Sequence, residues 1–317
     1  LLPSSFNPEE GFISSANQRT VDESYPFFIS GEFALPYRIM RIREMAAEKQ
    51  VLGIDDFKRM VTDNHSAYAK MLTPVILKGA EALSTPGETE KKAIEELRGW
   101  NYTMDASLVA PTLFEFIRAE LARQIMQDEL DELYGSPLGR QYDFYLYSMM
   151  KEGPDEWIDN VDTPEKESME TIISRSISAA LDTLTARQGG YGENWQWGKV
   201  HTFTLEHPMG GVKILNRLLR LNSKSYGAGG SNHTVAPFAF RNNLKAVHGA
   251  SERHIFNTAD WDKSLTVIPT GTSGIPGSPF YLSQTETYVN NGFYSEPFSD
   301  AAVEAAKKYE MIFRPGK

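Results

Sequence analysis

Asn7-Pro8-Glu9-Glu10-Gly11-Phe12-Ile13-Ser14-Ser15-Ala16-Asn17 is the stretch on which the fold turns. Its first half is turn chemistry, with Pro fixing one dihedral and Gly supplying freedom at the corner. Phe12 to Ala16 then alternates as a short strand does, and the alternation ends on the amide side chain of Asn17. Arg38 follows within Pro36-Tyr37-Arg38, where proline and the residues after it open a helix. An asparagine at a strand end can turn its N–H toward a developing oxyanion, and an arginine beside it can fix polar groups with its rigid fork of donors. Asparagine in that position is also a common turn former, so these residues alone leave both readings open.

Outward from this stretch the texture becomes helical, roughly over residues 36–185. Thr85-Pro86-Gly87-Glu88 reads as a helix start, with Thr as cap, Pro in the first turn and Glu completing a capping box. From Leu108 to Leu133 an apolar stripe runs through Leu113, Phe116, Ile117, Leu121, Ile125 and Leu133. Met169, Ile172, Ile173, Ile177, Ala180, Leu181 and Leu184 keep the same spacing, which predicts one buried face of an amphipathic helix. Beyond Gly189, glycine, aromatic and β-branched residues take over. Val200–Leu205, Arg253–Phe256 and Leu265–Ile268 read as strands, and Ser299–Tyr309 as a closing helix. One early strand, a helical block and several late strands make an α+β pattern, without the regular alternation of a doubly wound sheet. A lone early strand is not stable by itself, so it is expected to pair with strands late in the chain or outside it.

The 317 residues carry a net charge of −10, with 32 Lys and Arg against 42 Asp and Glu. The basic residues are scattered, which excludes the clustered cations that phosphate backbones need. No nucleic-acid partner is expected. No stretch approaches the about 18 apolar residues that span a bilayer, so no membrane partner is expected either. Cysteine is absent, removing disulfides, thiol catalysis and cysteine-ligated zinc. His201 and His207 lack metal-pair spacing, and His233, His248 and His254 show no carboxylate partner at a diagnostic distance. No G-x-S-x-G elbow occurs; Gly271-Thr272-Ser273-Gly274 reads as a tight turn and Gly227-Ala228-Gly229-Gly230 as a loop. The acid pairs Asp22-Glu23 and Asp55-Asp56 sit at loops or helix starts, where a carboxylate favours the helix dipole.

Four blocks in order go further than composition. Asn7-Pro8-x-x-Gly11-Phe12-Ile13-x-x-Ala16-Asn17, with Tyr25-Pro26, Gly31 and Pro36-Tyr37-Arg38, resembles the motif around the active-site asparagine of the penicillin acylases, a family of N-terminal-nucleophile hydrolases. Trp195-x-Trp197-Gly198-x-x-His201 and Glu206-His207-Pro208 are similar to later blocks of that family. So is Gly271-x-Ser273-Gly274-x-Pro276-x-Ser278-Pro279-x-Tyr281 near the end.

The resemblance implies an αββα sandwich with a large helical insertion, of which residues 1–317 form the C-terminal portion of the catalytic domain. On this reading 1–35 are the active-site strand and loop, 36–188 the mainly helical block, and 189–317 the late strands and closing helix. It implies amide hydrolysis that releases an acyl group from an N-acyl amine, a β-lactam or an acyl-homoserine lactone. The attack comes from a serine freed at a chain N-terminus by self-cleavage. Asn17 takes the place of the oxyanion asparagine, and Arg38 that of the active-site arginine that orients it. The chain begins Leu1-Leu2 and not Ser, so the nucleophile is expected upstream and this piece alone is expected to be inactive. The partners implied are the N-terminal part of the β-chain, the α-chain and a small acyl-amide substrate, in a bacterial periplasm or outside the cell. Gly230-Ser231-Asn232 mimics a processing site, but cleavage there would place the nucleophile after Asn17. No cofactor is expected. Calcium occurs in the family, yet Tyr25-Pro26-Phe27-Phe28-Ile29 lacks the carboxylate that would ligate it. Packing is the expected role of His201 and His207. The competing readings are a binding or structural protein of the same fold, and a metal hydrolase built on the late histidines.

Overall fold

Helices account for the middle of the chain, and their positions follow from local sequence. The computed structural model describes residues 2–133, 142–154, 156–241 and 243–316; Leu1, quoted above for the chain's start, lies outside them. The helices are α1 (Tyr37–Ala47), α2 (Ile54–Val61), α3 (Ala67–Ala80), α4 (Glu88–Arg98), α5 (Ala110–Leu130) and α6 (Tyr142–Glu152). They continue with α7 (Met169–Gln188), α8 (Trp197–Val200), α9 (Lys213–Leu219), α10 (Thr285–Val289) and α11 (Asp300–Ala306). The strands are short: β1 (Thr202–Phe203), β2 (Tyr226–Gly227), β3 (Phe238–Phe240), β4 (Ala246–Gly249), β5 (Arg253–Ile255), β6 (Leu265–Val267) and β7 (Tyr294–Ser295). The described chain is α+β, as its sequence pattern indicates.

It divides into two units. One comprises residues 1–49, 63–203 and 227–248; the other comprises 50–62, 204–226 and 249–317.

In the first unit α5 and α7 form the central seam, with α3 against α7 and α4 against α5. The predicted stripe of α7 is the buried one, from Ile172 to Leu184, and Ser168 caps the helix by accepting from Thr171 N at 3.3 Å. On α5 the stripe holds through Ile125, but Leu133 falls beyond the helix and is exposed. Gly79 lets α3 approach α7: a methyl there would stand 2.5 Å from Ile173 Cβ. Such overpacking typically costs roughly 1–3 kcal/mol. The start of α4 differs from the predicted one. Gly87 is the cap, and Glu90, not Glu88, reaches back to accept from Gly87 N at 2.8 Å, because the helix begins two residues later than Thr-Pro suggests.

The predicted strand at Phe12–Ala16 does not form. That segment forms no strand ladder, its chain bends at Ala16, and a parallel bridge just beyond it joins Gln18 to Ala34. Alternation alone does not make a strand, and no described strand lies beside this segment to pair with it. The predicted Val200–Leu205 strand shrinks to β1, since Val200 closes α8. Phe203 of β1 pairs in parallel with Ala246 of β4, within the strand order β2-β1-β4-β3. Gly198 belongs to this region by necessity. Its N–H donates to Ala106 O at 2.8 Å, and a Cβ there would meet Ala106 Cβ at 2.9 Å.

His201 packs in the same core. Its ring is fully buried, stacks on Trp197 with centroids 4.4 Å apart, and bonds Leu244 O through Nδ1 at 2.5 Å. Burial draws its pKa down to about 4 from 6.5, against the backbone carbonyl contacts that favour the cation. The folded value lies below the unfolded one. The stability gained from a neutral ring is therefore complete above pH 6.5 and is lost as pH falls toward 4. His201→Asn keeps a donor for Leu244 O and removes the titration. Unfolding free energies from denaturant titrations are expected to fall between pH 7.5 and 4.5 by on the order of 2–3 kcal/mol less in this variant than in the wild type. Equal losses in both proteins would contradict a neutral buried His201.

The second unit holds an antiparallel sheet in the order β5-β6-β7, with Arg253 opposite Val267 and Leu265 opposite Ser295. Helix α2 lies against β5. Arg253 is buried with its guanidinium 4.2 Å over the Tyr288 ring and Nη1 donating to Tyr288 O at 2.9 Å. The Gly271–Tyr281 block is a hydrogen-bonded loop. Ser273 N donates to Phe280 O at 3.2 Å, and a Cβ on Gly271 would stand 2.0 Å from that same oxygen.

Candidate active site

The segment before α1 is held by backbone bonds that fix Asn17. Ala34 N donates to Asn17 O at 2.8 Å, and Ala16 N donates to the Gln18 side chain at 2.7 Å. Asn17 itself takes a left-handed backbone, φ +62°, which asparagine tolerates better than other non-glycine residues. Its exposed side chain meets Arg38 in the first turn of α1: Arg38 Nη2 donates to Asn17 Oδ1 at 2.8 Å. A guanidinium has donors only, so the bond fixes which end of the amide faces it. Asn17 Nδ2 is left with its two N–H groups turned away from Arg38. Burial draws the Arg38 pKa below the ordinary guanidinium value.

Helix α1 is anchored on three sides. Arg41 grips Asp63 through Nε and Nη2, both at 3.0 Å, and Glu44 through Nη1 at 2.9 Å. Arg43 pairs with Glu10, tying the N-terminal segment to the helix. Tyr37, one residue before Arg38, is fully buried and stacks on Tyr68 at 4.6 Å, with the His233 ring edge-on at 5.4 Å.

Asp143 of α6 lies at the centre of these rings. Its Oδ1 accepts from Tyr68 Oη at 3.0 Å and from Arg118 Nη1 at 2.7 Å, and its Oδ2 bonds His233 Nε2 at 3.2 Å. Arg118 also donates to Glu115 at 2.8 Å, and both side chains are buried within α5. Burial of Asp143 favours its neutral form. Arg118, His233 and Tyr68 outweigh that and hold the carboxyl well below the usual range. Phe33, Ala34, Leu35, Arg38, Asp143, Phe144, Asn232 and His233 line a cavity of about 200 Å³.

The structure brings the Asn17 and Arg38 side chains within hydrogen-bond distance of each other. It corrects the reading of His233, whose carboxylate partner is 90 residues away in the chain. Spacing along a sequence carries no signal for a pair formed by tertiary packing. His254 likewise meets Glu296 at 3.1 Å and Glu252 at 3.3 Å, and His207 Nδ1 accepts from Met209 N at 3.1 Å. Ser231 is buried, with Oγ accepting from His233 N at 3.2 Å; Ser273 Oγ accepts from Ile275 N at 3.1 Å. Among the described residues no three His, Asp or Glu side chains gather as metal ligands. Asp22, which precedes the Tyr25–Ile29 segment, accepts from Ser24 N at 2.9 Å. No helix among the described residues is long and apolar enough to cross a membrane.

Known proteins resemble this chain along nearly its whole length. Acyl-homoserine lactone acylase QuiP of Pseudomonas syringae pv. tomato is 26% identical over 349 residues, covering 100% of this chain and 41% of that protein. Penicillin acylase 2 proenzyme of Pseudomonas sp. strain SE83 is 25% identical over 324 residues, covering 98% of this chain and 40% of that protein. The chain therefore spans about two fifths of the length of these curated relatives. Among solved structures, thermostable penicillin G acylase from Alcaligenes faecalis superposes with a TM-score of 0.57 at 14% identity, covering 99% of this chain and 58% of that one. That likeness shows a shared fold. The penicillin amidase family model matches residues 1–305, the asparagine block, the helical insertion and the late strands together, and the chain belongs to that family.

Proposed function

We propose that the protein carrying this chain hydrolyses amides, and that this chain supplies the side-chain half of the oxyanion hole. The bond from Arg38 Nη2 to Asn17 Oδ1 at 2.8 Å carries the reading, because it leaves Asn17 Nδ2 as the outward donor. The nucleophile is a serine freed at a chain N-terminus by self-cleavage, contributed by the rest of the β-chain, with the α-chain as a further partner. Its α-amine, with a pKa near ~8, takes the hydroxyl proton. The oxygen bonds to the carbonyl carbon, negative charge gathers on the carbonyl oxygen, and Asn17 Nδ2 with a backbone N–H stabilises it. The C–N bond breaks as the amine receives the proton, and water then releases the acid. The substrates are N-acyl amines, β-lactams or acyl-homoserine lactones, and the site of action is the periplasm or the exterior.

Arg38 is a positioning residue that acts through Asn17. In the full-length protein Arg38→Met is expected to lower kcat/KM for an N-acyl amine about tenfold or more, the scale of a lost charge-assisted hydrogen bond. Added to Asn17→Gly it is expected to cost little further, since both changes remove one interaction. Fully additive losses would show that Arg38 works independently of Asn17. Absence of amide turnover in the self-cleaved wild type would overturn the hydrolytic reading itself.

A further inference from the structure

Residues 207–251 hold six Lys and Arg and no Asp or Glu, in a chain whose net charge is −10. Within that stretch helix α9 has no buried residue, although it carries Ile214, Leu215, Leu218 and Leu219. Ile214 and Leu218 are 79% and 74% exposed, and Met209, Val212 and Leu219 near them are exposed as well. A single aliphatic side chain in water means little, but several gathered at one place mark a contact surface.

The helix is held out on a hydrogen-bonded neck. His207 N donates to Asn222 Oδ1 at 2.9 Å, and Asn222 N donates to Asn216 Oδ1 at 2.9 Å. Ser223 N donates to Leu205 O at 3.0 Å, and Tyr281 Oη donates to Leu221 O at 2.8 Å. Gly210 packs so closely on Asn222 that a Cβ there would stand 1.8 Å from its Oδ1. Asn216 thus turns one side of α9 toward the neck. At about 100° per residue, Ile214 and Leu218 lie on the opposite side, about 40° apart, with Lys213 and Arg217 flanking them. Lys213, Arg217 and Arg220 are exposed and have no acidic partner among the described residues, whereas Lys224 meets Glu286 at 3.6 Å. All these residues belong to the second unit.

We propose that α9 docks on an anionic phospholipid surface, with Ile214 and Leu218 entering the acyl boundary and Lys213, Arg217 and Arg220 meeting the headgroup phosphates. Charge decides the sign of the partner, and size decides its kind. Seven residues make a helix about 10 Å long, which offers far less than the ~800 Å² that each side of a stable protein interface buries. A bilayer asks for less: a few aliphatic side chains at the depth where cations reach the headgroups. The lack of a spanning segment is no obstacle, since a surface contact needs none. The inference stands apart from amide hydrolysis.

The test is co-flotation of the full-length protein with phosphatidylcholine vesicles, made with and without phosphatidylglycerol. Wild type is expected to float with the anionic vesicles, to be released as salt is raised, and to stay behind with the neutral ones. Lys213→Gln with Arg217→Gln is expected to weaken binding to the anionic vesicles roughly thirtyfold. Ile214→Ser with Leu218→Ser is expected to weaken it roughly tenfold or more. Both variants are expected to keep the wild-type urea midpoint, because substitutions of exposed side chains barely move stability. Wild-type binding to neither vesicle, or binding that either variant leaves unchanged, would overturn the proposal. So would a lowered midpoint in the serine variant, which would place Ile214 and Leu218 inside a contact with the rest of the protein.

Discussion

Replacing Arg118 by methionine is expected to cost about 3–5 kcal/mol of folding stability, the scale for removing one partner of a buried ion pair. Arg118 and Glu115 are almost wholly buried, and Asp143 is largely so. Without the guanidinium two carboxylates remain in an apolar setting with no full counter-ion, whereas methionine fills the stem's volume and offers no donor. The pH dependence is expected to change sign as well. In the wild type the folded pKa of Asp143 lies below its unfolded value, so its contribution is present above about pH 4 and lost as pH falls further. In the variant the burial of Asp143, which favours its neutral form, is no longer offset by the guanidinium, and its carboxyl is pushed upward. The folded state then takes up protons more readily than the unfolded one, and acidification from pH 7 toward 5 stabilises the variant. Urea denaturation of the full-length protein across that range checks both statements. A cost below about 1 kcal/mol, or an unchanged pH profile, would remove this network as the support of the Tyr37–Arg38 turn.

How far the sequence could be read depended on whether each signal was local. Ile172 to Leu184 lie on one helix, so their period alone located the buried face of α7. Asn17 and Arg38 are 21 residues apart, and no period joins them; their order within a resembling motif did. Phe12–Ala16 shows the opposite failure, since alternation is a local signal but cannot provide the neighbouring strand that a sheet needs. Asp143, His233, Arg118 and Tyr68 were invisible for a related reason. Each lies on a different element, and only packing brings their polar atoms within 2.7–3.2 Å of one another. A buried Arg118 on the apolar stripe-bearing helix α5 was the one local hint that a counter-charge had to arrive from elsewhere.

The second large effect is expected at Asn17. Loss of one side-chain donor from an oxyanion hole typically lowers kcat by about 10²–10³, because the bond strengthens only as charge develops on the carbonyl oxygen. Asn17→Ala would mix this with backbone strain, since alanine resists φ +62° by roughly 1–2 kcal/mol. Asn17→Gly separates the two, because glycine adopts that conformation freely. The most direct measurement is therefore kcat of the full-length Asn17→Gly enzyme on an N-acyl amine, with its urea midpoint determined on the same sample. A loss of at least about a hundredfold at an unchanged midpoint is the expected result. Turnover within about threefold of wild type, in a protein equally stable, would show that Asn17 is a turn residue and not an oxyanion donor.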